Sequence, residues 1–294
     1  MFPVEDEDDR MLPFTFDLPQ SSLHFVNDVE SLQRLRIAFA DCVIVGIDTE
    51  TRPMFVKRNR ANQFVRPNPT SLVQMALRSS SGLESVHIVD MLTLKTQGLL
   101  NELDMVLVTV MCDDHCIKVG QSLINDFKEL RMSYAHMQSF QKVHAILDTT
   151  VLSKVLQPEL INTLSLKTLV KQYLHFQLVK GQQMSDWSRR PLGKAQIQYA
   201  ACDALVLLRL YDAMVCEAEE KALKQTSEFN VRDHLEVFDH LAVSNSAKKK
   251  LKKIAAFAIP PMPVLSVGDD VTDKSECSEE SSVPPSKKAK HTHF

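Results

Sequence analysis

The segment Cys42-Val-Ile-Val-Gly-Ile-Asp48 constrains this chain more than any other. It is a short apolar run rich in β-branched residues, and it suits a strand buried within a sheet. The run ends in charge, as Asp48-Thr-Glu50. Alternate side chains of a strand share a face, so Asp48 and Glu50 point the same way. Two carboxylates that close repel unless a proton or a cation lies between them. Their oxygens are hard ligands of the kind that suit Mg²⁺ or Mn²⁺. Taken alone, the pair reads more readily as an ordinary polar strand end.

The flanking pattern predicts what surrounds that strand. His24–Asn27, Ser71–Leu77, Ser85–Asp90 and Ile117–Gly120 read as further strands, and Val29–Ala40, Gln97–Val110, Leu123–Met132, Ser165–Leu174 and Lys194–Leu223 as helices. Such mixing predicts an α/β layered sheet. With 44% hydrophobic residues, the 294-residue chain can bury a sizeable core. Only 7 glycines argue against a glycine-rich phosphate loop. A net charge of −3 excludes a nucleic-acid binder that works by bulk charge, so any such site must be a local patch.

The organisation predicted along the chain is an acidic flexible arm (1–20), a folded domain (21–224), a partly helical extension with a basic block (225–258) and a disordered tail (259–294). Within the extension, Asp233–Leu241 reads as one more helix. The tail is rich in Pro, Ser, Glu and Lys and cannot bury enough apolar area to order itself. Met105–Val108 and the other unbroken apolar runs are all far short of a membrane span. Glu5–Asp9 is the opposite of a basic signal-peptide start. The 6 cysteines form no regular framework and read as reduced thiols. The expectation is a protein that is not secreted, nuclear or cytoplasmic. Lys248–Lys253 and Lys287–Lys290 read as import signals or extra nucleic-acid contacts, and Ser275–Ser282 as a phosphorylatable acidic segment.

Two further segments carry acids. Tyr199-Ala-Ala-Cys-Asp203 lies in the long helix, where residues four apart share a face, and its alanines leave room for close packing. Asp126 follows a strand and opens a helix, where it would also complement the helix dipole. In combination and in order, these segments resemble the three motifs of the DEDD-superfamily 3′→5′ exonucleases in the tyrosine branch, the group of ribonuclease D, the Werner-syndrome exonuclease domain and the Mut-7-like proteins. The first motif is Asp48-x-Glu50, the second supplies Asp126, and the third is Tyr199-x3-Asp203. The histidine branch would need His at position 198, which is Gln. Thr51-Arg-Pro-x-Phe55, Ser71-Leu-Val-Gln74-Met-Ala76, Ser165-Leu-Lys167 and Met184-Ser-Asp-Trp187-Ser-Arg-Arg190-Pro-Leu192 add supporting text. The resemblance covers about residues 22–215. One departure is Thr51, where several eukaryotic relatives carry tryptophan.

The resemblance implies a ribonuclease H-like fold, a mixed central sheet flanked by helices. It also implies a two-metal phosphodiesterase that releases nucleoside 5′-monophosphates from the single-stranded 3′ end of RNA or DNA. Asp48 would bridge two divalent cations, Mg²⁺ or Mn²⁺. Glu50 and Asp203 would complete one site, Asp126 the other, and Tyr199 would orient the attacking water. Lys57, Arg58, Arg60, Arg66, Arg189 and Arg190 are candidate contacts to substrate phosphates, and Phe127 to the terminal base; solvated loops and a core role are the plain alternatives. Cys112-Asp-Asp-His115-Cys116 lacks the second ligand pair of a structural zinc site. Asp148 reads as a helix cap, Asp186 as a turn residue and Trp187 as packing. The competing reading is a non-catalytic nucleic-acid or protein-binding module on the same scaffold. It has no evident use for four mutually repelling acids.

Overall fold

A computed structural model describes residues 11–53 and 68–242. Seven strands form one mixed sheet: β1 (Leu23–Val26), β2 (Cys42–Thr51), β3 (Thr70–Ser79), β4 (Glu84–Asp90), β5 (Ile117–Gly120), β6 (Lys142–Asp148) and β7 (Glu236–Asp239). Their spatial order is β1-β4-β3-β2-β5-β6-β7. The β2–β3–β4 meander is antiparallel, β5 and β6 run parallel to β2, and β7 returns antiparallel on β6. The apolar run beginning at Cys42 therefore becomes a central strand, extended by three residues through the acidic pair.

Helices cover both faces. Val45, Ile47, Val73 and Met75 pack with α1 (Val29–Phe39), α3 (Leu100–Met111) and α4 (Leu123–Ser133). The alternate residues Ile44, Leu72, Ala76 and Val119 pack with α5 (Thr149–Leu156) and the long α7 (Lys194–Lys224). α2 (Met91–Thr96) and α6 (Leu166–Leu169, continued as a π-type turn to Leu174) complete the layers.

Three elements differ from the sequence-based expectation. Asp233–Leu241 is not a helix: a 3₁₀ turn, Val231–His234, leads into β7, where Phe238 is buried against Phe127. The unpaired edge of β6 supplies the ladder partners that override the local preference. The helix expected from Gln97 begins at Leu100, because Gly98 takes a left-handed φ of 76° that ends α2. Within the arm expected at 1–20, residues 1–10 lie outside the described residues, but 12–17 are held to the body. The Phe14 N–H donates to Gln177 O (2.8 Å), the Gln177 N–H donates to Leu12 O (2.9 Å), and Phe14 is buried.

Buried Lys118 explains the turn before β5. Its ammonium donates to the carbonyls of Val110, Asp113 and Cys116 at 3.1, 2.6 and 2.7 Å. Cys116 faces Cys42 (Sγ–Sγ 3.8 Å), while Cys112 is exposed, so this turn does not assemble a zinc site. Among the described residues no helix is long and apolar enough to cross a membrane. The serine-rich acidic segment and both basic C-terminal clusters lie outside the described residues.

Candidate active site

The site forms where α7 crosses β2. Gly46 permits the crossing: a Cβ there would lie 2.7 Å from the Ala204 carbonyl and 3.0 Å from the Leu207 Cβ. Ala200 and Ala204 are fully buried, small residues that let the helix backbone approach the sheet. Two residues beyond Gly46, Asp48 emerges on the same face, followed by Glu50. The approach of α7 delivers Asp203 onto this pair. One carboxylate oxygen from each of Asp48, Glu50 and Asp203 lies within 4.8 Å of the others, the only such group of metal-ligating side chains among the described residues. Glu50 is 8% exposed and Asp203 5%.

Asp126 reaches the same end of the sheet by another route. β5 ends at Gly120, beside β2, and α4 starts three residues later. Ligand sites in such sheets form beyond the carboxyl ends of parallel strands. Asp126 stands in the first turn of α4 and accepts a hydrogen bond from the Thr49 hydroxyl at 2.6 Å. Thr49 alternates to the face opposite Asp48 and Glu50, so the middle residue of the motif ties the fourth acid to the strand that carries the first two.

The charges are costly without a counter-ion. Burial first, then the charges of Asp48, Asp203 and Asp126, push the Glu50 carboxyl up to about 10. Asp126 is raised to about 7 by burial and then by Asp48, against the pull of the Thr49 hydroxyl. Asp48 and Asp203 are both raised, burial being the main cause in each. Four oxygen-donor carboxyls driven toward protonation by burial and, at Asp48, Glu50 and Asp126, by neighbouring acids are a donor set that fits hard divalent cations. Tyr199 donates its O–H to Asp203, and burial with the nearby carboxylates lifts the phenol above its ordinary range.

The remaining candidates separate. Phe127 is fully buried and stacks on Phe238, so it is a core residue and not a base contact. Arg190 forms a two-pronged ion pair with buried Asp90 (2.5 and 2.7 Å), which ties its guanidinium to the fold. Arg189 is exposed. Lys57, Arg58, Arg60 and Arg66 lie outside the described residues. Asp148 caps α5 through Thr150 N–H and accepts from Ser122 and Leu123 N–H, so it buttresses the turn before α4. Trp187 is fully buried beside Tyr199, ring centroids 6.0 Å apart, and Asp186 caps its own turn through Ser188.

Two residues near the cluster escaped the sequence reading of the site. Gln74 is fully buried and pairs with Asp48 across the β2–β3 ladder, with no hydrogen-bond partner for its amide among the described residues. Its signal was a single polar residue within the apolar stretch Leu72–Leu77. Exposed Lys180 opposes the rise at Asp203; nothing local in the sequence marks it.

Comparison with known proteins agrees with this geometry. A family model described as 3′-5′ exonuclease matches residues 23–219. The human exonuclease mut-7 homolog is 28% identical over 229 residues, covering 73% of this chain and 24% of that protein. Ribonuclease D of Haemophilus influenzae is 31% identical over 125 residues, covering 42% of this chain and 29% of that protein. The chain thus spans about a quarter of the length of the curated relatives it matches. Among solved structures, the Aedes aegypti Nibbler EXO domain shares the fold, with a TM-score of 0.58 at 24% identity over 70% of this chain and 93% of that one. With the acidic cluster at the ends of β2 and β5 and a match across most of the described residues, this chain belongs to the 3′-5′ exonuclease family.

Proposed function

We propose that this chain is a metal-dependent 3′→5′ exonuclease that hydrolyses phosphodiester bonds of RNA or DNA and releases nucleoside 5′-monophosphates. The observation that carries the reading is the trio Asp48, Glu50 and Asp203, mutually within 4.8 Å, with Asp126 held beside it by Thr49. Asp48, Glu50 and Asp203 would hold one divalent cation, and Asp48 with Asp126 a second, either Mg²⁺ or Mn²⁺. Bound there, the cations supply positive charge for the oxygens that gain charge in an in-line displacement. Tyr199 stays a phenol at neutral pH. Its O–H is committed to Asp203, and its oxygen accepts from and orients the attacking water, so Tyr199 is a positioning group and not a base.

The substrate is a single-stranded 3′ end. The ribonuclease D relatives make RNA the first strand to test. Arg189, and Lys57, Arg58, Arg60 and Arg66 of the segment between β2 and β3, offer the positive charge that the phosphate backbone requires. The basic C-terminal clusters favour the nucleus over the cytoplasm. The predicted organisation into arm, exonuclease domain, extension and tail remains part of this proposal, with β7 now joined to the sheet.

The test is hydrolysis of matched 5′-labelled RNA and DNA with Mg²⁺ or Mn²⁺, beside an EDTA control and an Asp48→Ala/Glu50→Ala variant. A ladder that shortens from the 3′ end, absent in both controls, is expected. No ladder with strand binding intact would refute hydrolysis and favour a binding module.

A further inference from the structure

Gln74 sits in the middle of β3 and is 0% exposed. Neither its amide nitrogen nor its amide oxygen has a hydrogen-bond partner among the described residues. An unpaired buried amide is costly, and an apolar side chain of the same shape would be neutral or better in its place. The register of the sheet decides what the amide can reach. Gln74 stands directly opposite Asp48 on β2 and opposite Ile88 on β4, so the three side chains share one face. Along its own strand the neighbours on that face are Leu72 and Ala76. Leu72, Ala76 and Ile88 are fully buried in the core on the α7 side. Of these four neighbours in the sheet, Asp48 alone is polar.

We propose that Gln74 is a positioning residue for Asp48: with divalent cations bound, its amide N–H donates to the Asp48 carboxylate and fixes the direction of the oxygens that hold them. The proposal rests on the reading of Asp48 as a metal ligand. Side chains directly opposite one another in an antiparallel pair stand about 4.5–5.5 Å apart at Cβ, within reach of a glutamine amide. A glutamine offers two N–H donors and stays neutral, so it steadies a carboxylate without adding a fifth charge to four repelling acids. The other acids show the same device. Asp126 accepts from the Thr49 hydroxyl at 2.6 Å, and Asp203 accepts from Tyr199. Asp48 has the Thr49 backbone N–H but no side-chain donor among the described residues, and Gln74 is the amide placed to supply one. Carboxylates that ligate a metal are themselves hydrogen-bonded, and loss of such a partner typically costs about 10–100-fold in metal affinity.

The test replaces Gln74 with methionine in the full chain, which keeps the length and volume of the side chain and removes the amide. Far-UV circular dichroism checks the fold, and Gln74→Leu takes over if Gln74→Met does not fold. Urea unfolding in EDTA and calorimetric Mn²⁺ binding are compared with wild type, and hydrolysis of 5′-labelled RNA is read in parallel. The urea midpoint in EDTA is expected within about 0.5 M of wild type or above it, because no bond is lost in the metal-free protein. Mn²⁺ affinity is expected to fall by about 10-fold or more. A packing role would give the opposite split, a lower midpoint with affinity retained. A smaller loss of affinity, or a midpoint lower by more than about 0.5 M, would overturn the positioning role and leave the exonuclease reading standing. Failure of both apolar variants to fold would assign the amide to the fold itself and overturn the proposal in the same way. If wild type binds Mn²⁺ but cleaves nothing, the affinity ratio still decides the role of Gln74 while the exonuclease reading falls. If wild type binds no Mn²⁺, both fall.

Discussion

Replacing Glu50 with glutamine should make the metal-free protein more stable while destroying its activity. Glu50 is 8% exposed, and its carboxyl is held at about 10 by burial and three neighbouring acids. The unfolded chain ionises the same group near 4.5. Between these values the folded state binds more protons than the unfolded state, so stability falls as pH rises. At about 1.4 kcal/mol per pH unit, keeping Glu50 protonated costs at most about 3.5 kcal/mol at pH 7. Glutamine has the shape of the neutral acid and carries no such cost. Urea unfolding in EDTA should show the two proteins within about 1 kcal/mol at pH 5, and Glu50→Gln ahead by about 1–3 kcal/mol at pH 8. In melting temperature the gain is about 2–4 °C per kcal/mol for a domain of this size. Mn²⁺ should then raise wild type and close the gap. A variant less stable than wild type at pH 8, or a difference that does not change with pH, would refute the claim that burial and the neighbouring acids hold Glu50 protonated in the metal-free protein.

Three further expectations follow from the same geometry. Asp203→Ala should lower hydrolysis on the order of 10³-fold, whereas Tyr199→Phe should slow turnover about 10–100-fold with little change in Mn²⁺ affinity; equal loss of metal binding in both would remove the water-orienting role from Tyr199. Thr49→Val should free Asp126, weakening Mn²⁺ binding and turnover together by about 10-fold, with Thr49→Ser restoring both, since one charge-assisted hydrogen bond is at stake. Loss that serine does not restore would assign Thr49 to packing. Gly46→Ala should cost about 1–3 kcal/mol in denaturant unfolding and reduce kcat, because its methyl must push α7, and with it Asp203, away from β2; a neutral result would mean the helix tolerates displacement there.

Much of the site was legible because its parts are local. A period of two puts Asp48 and Glu50 on one face of a strand, and a spacing of four puts Tyr199 and Asp203 on one face of a helix. Asp126 was legible only through the resemblance to the second exonuclease motif, since its place at the start of a helix equally suits an acid that complements the helix dipole. The arginines were less so: Arg189 and Arg190 are adjacent in sequence, yet one is exposed and the other is spent on Asp90, 100 residues away. The helix expected at Asp233–Leu241 shows the same limit, since a short apolar pattern took the form its β6 neighbour could pair with.

The sequence by itself thus determined the α/β class and the central strand, because periodicity acts within a few residues, and its resemblance to the exonuclease motifs singled out the acids. Only the tertiary structure decided which residues converge on those acids. The Thr49–Asp126 hydrogen bond spans 77 residues, Gly46 matters only because α7 passes over it, and Phe14 is buried only where its segment meets Gln177. Each is a contact between segments distant in the chain, specified by packing and by the need to pair buried polar groups, and neither requirement leaves a local pattern.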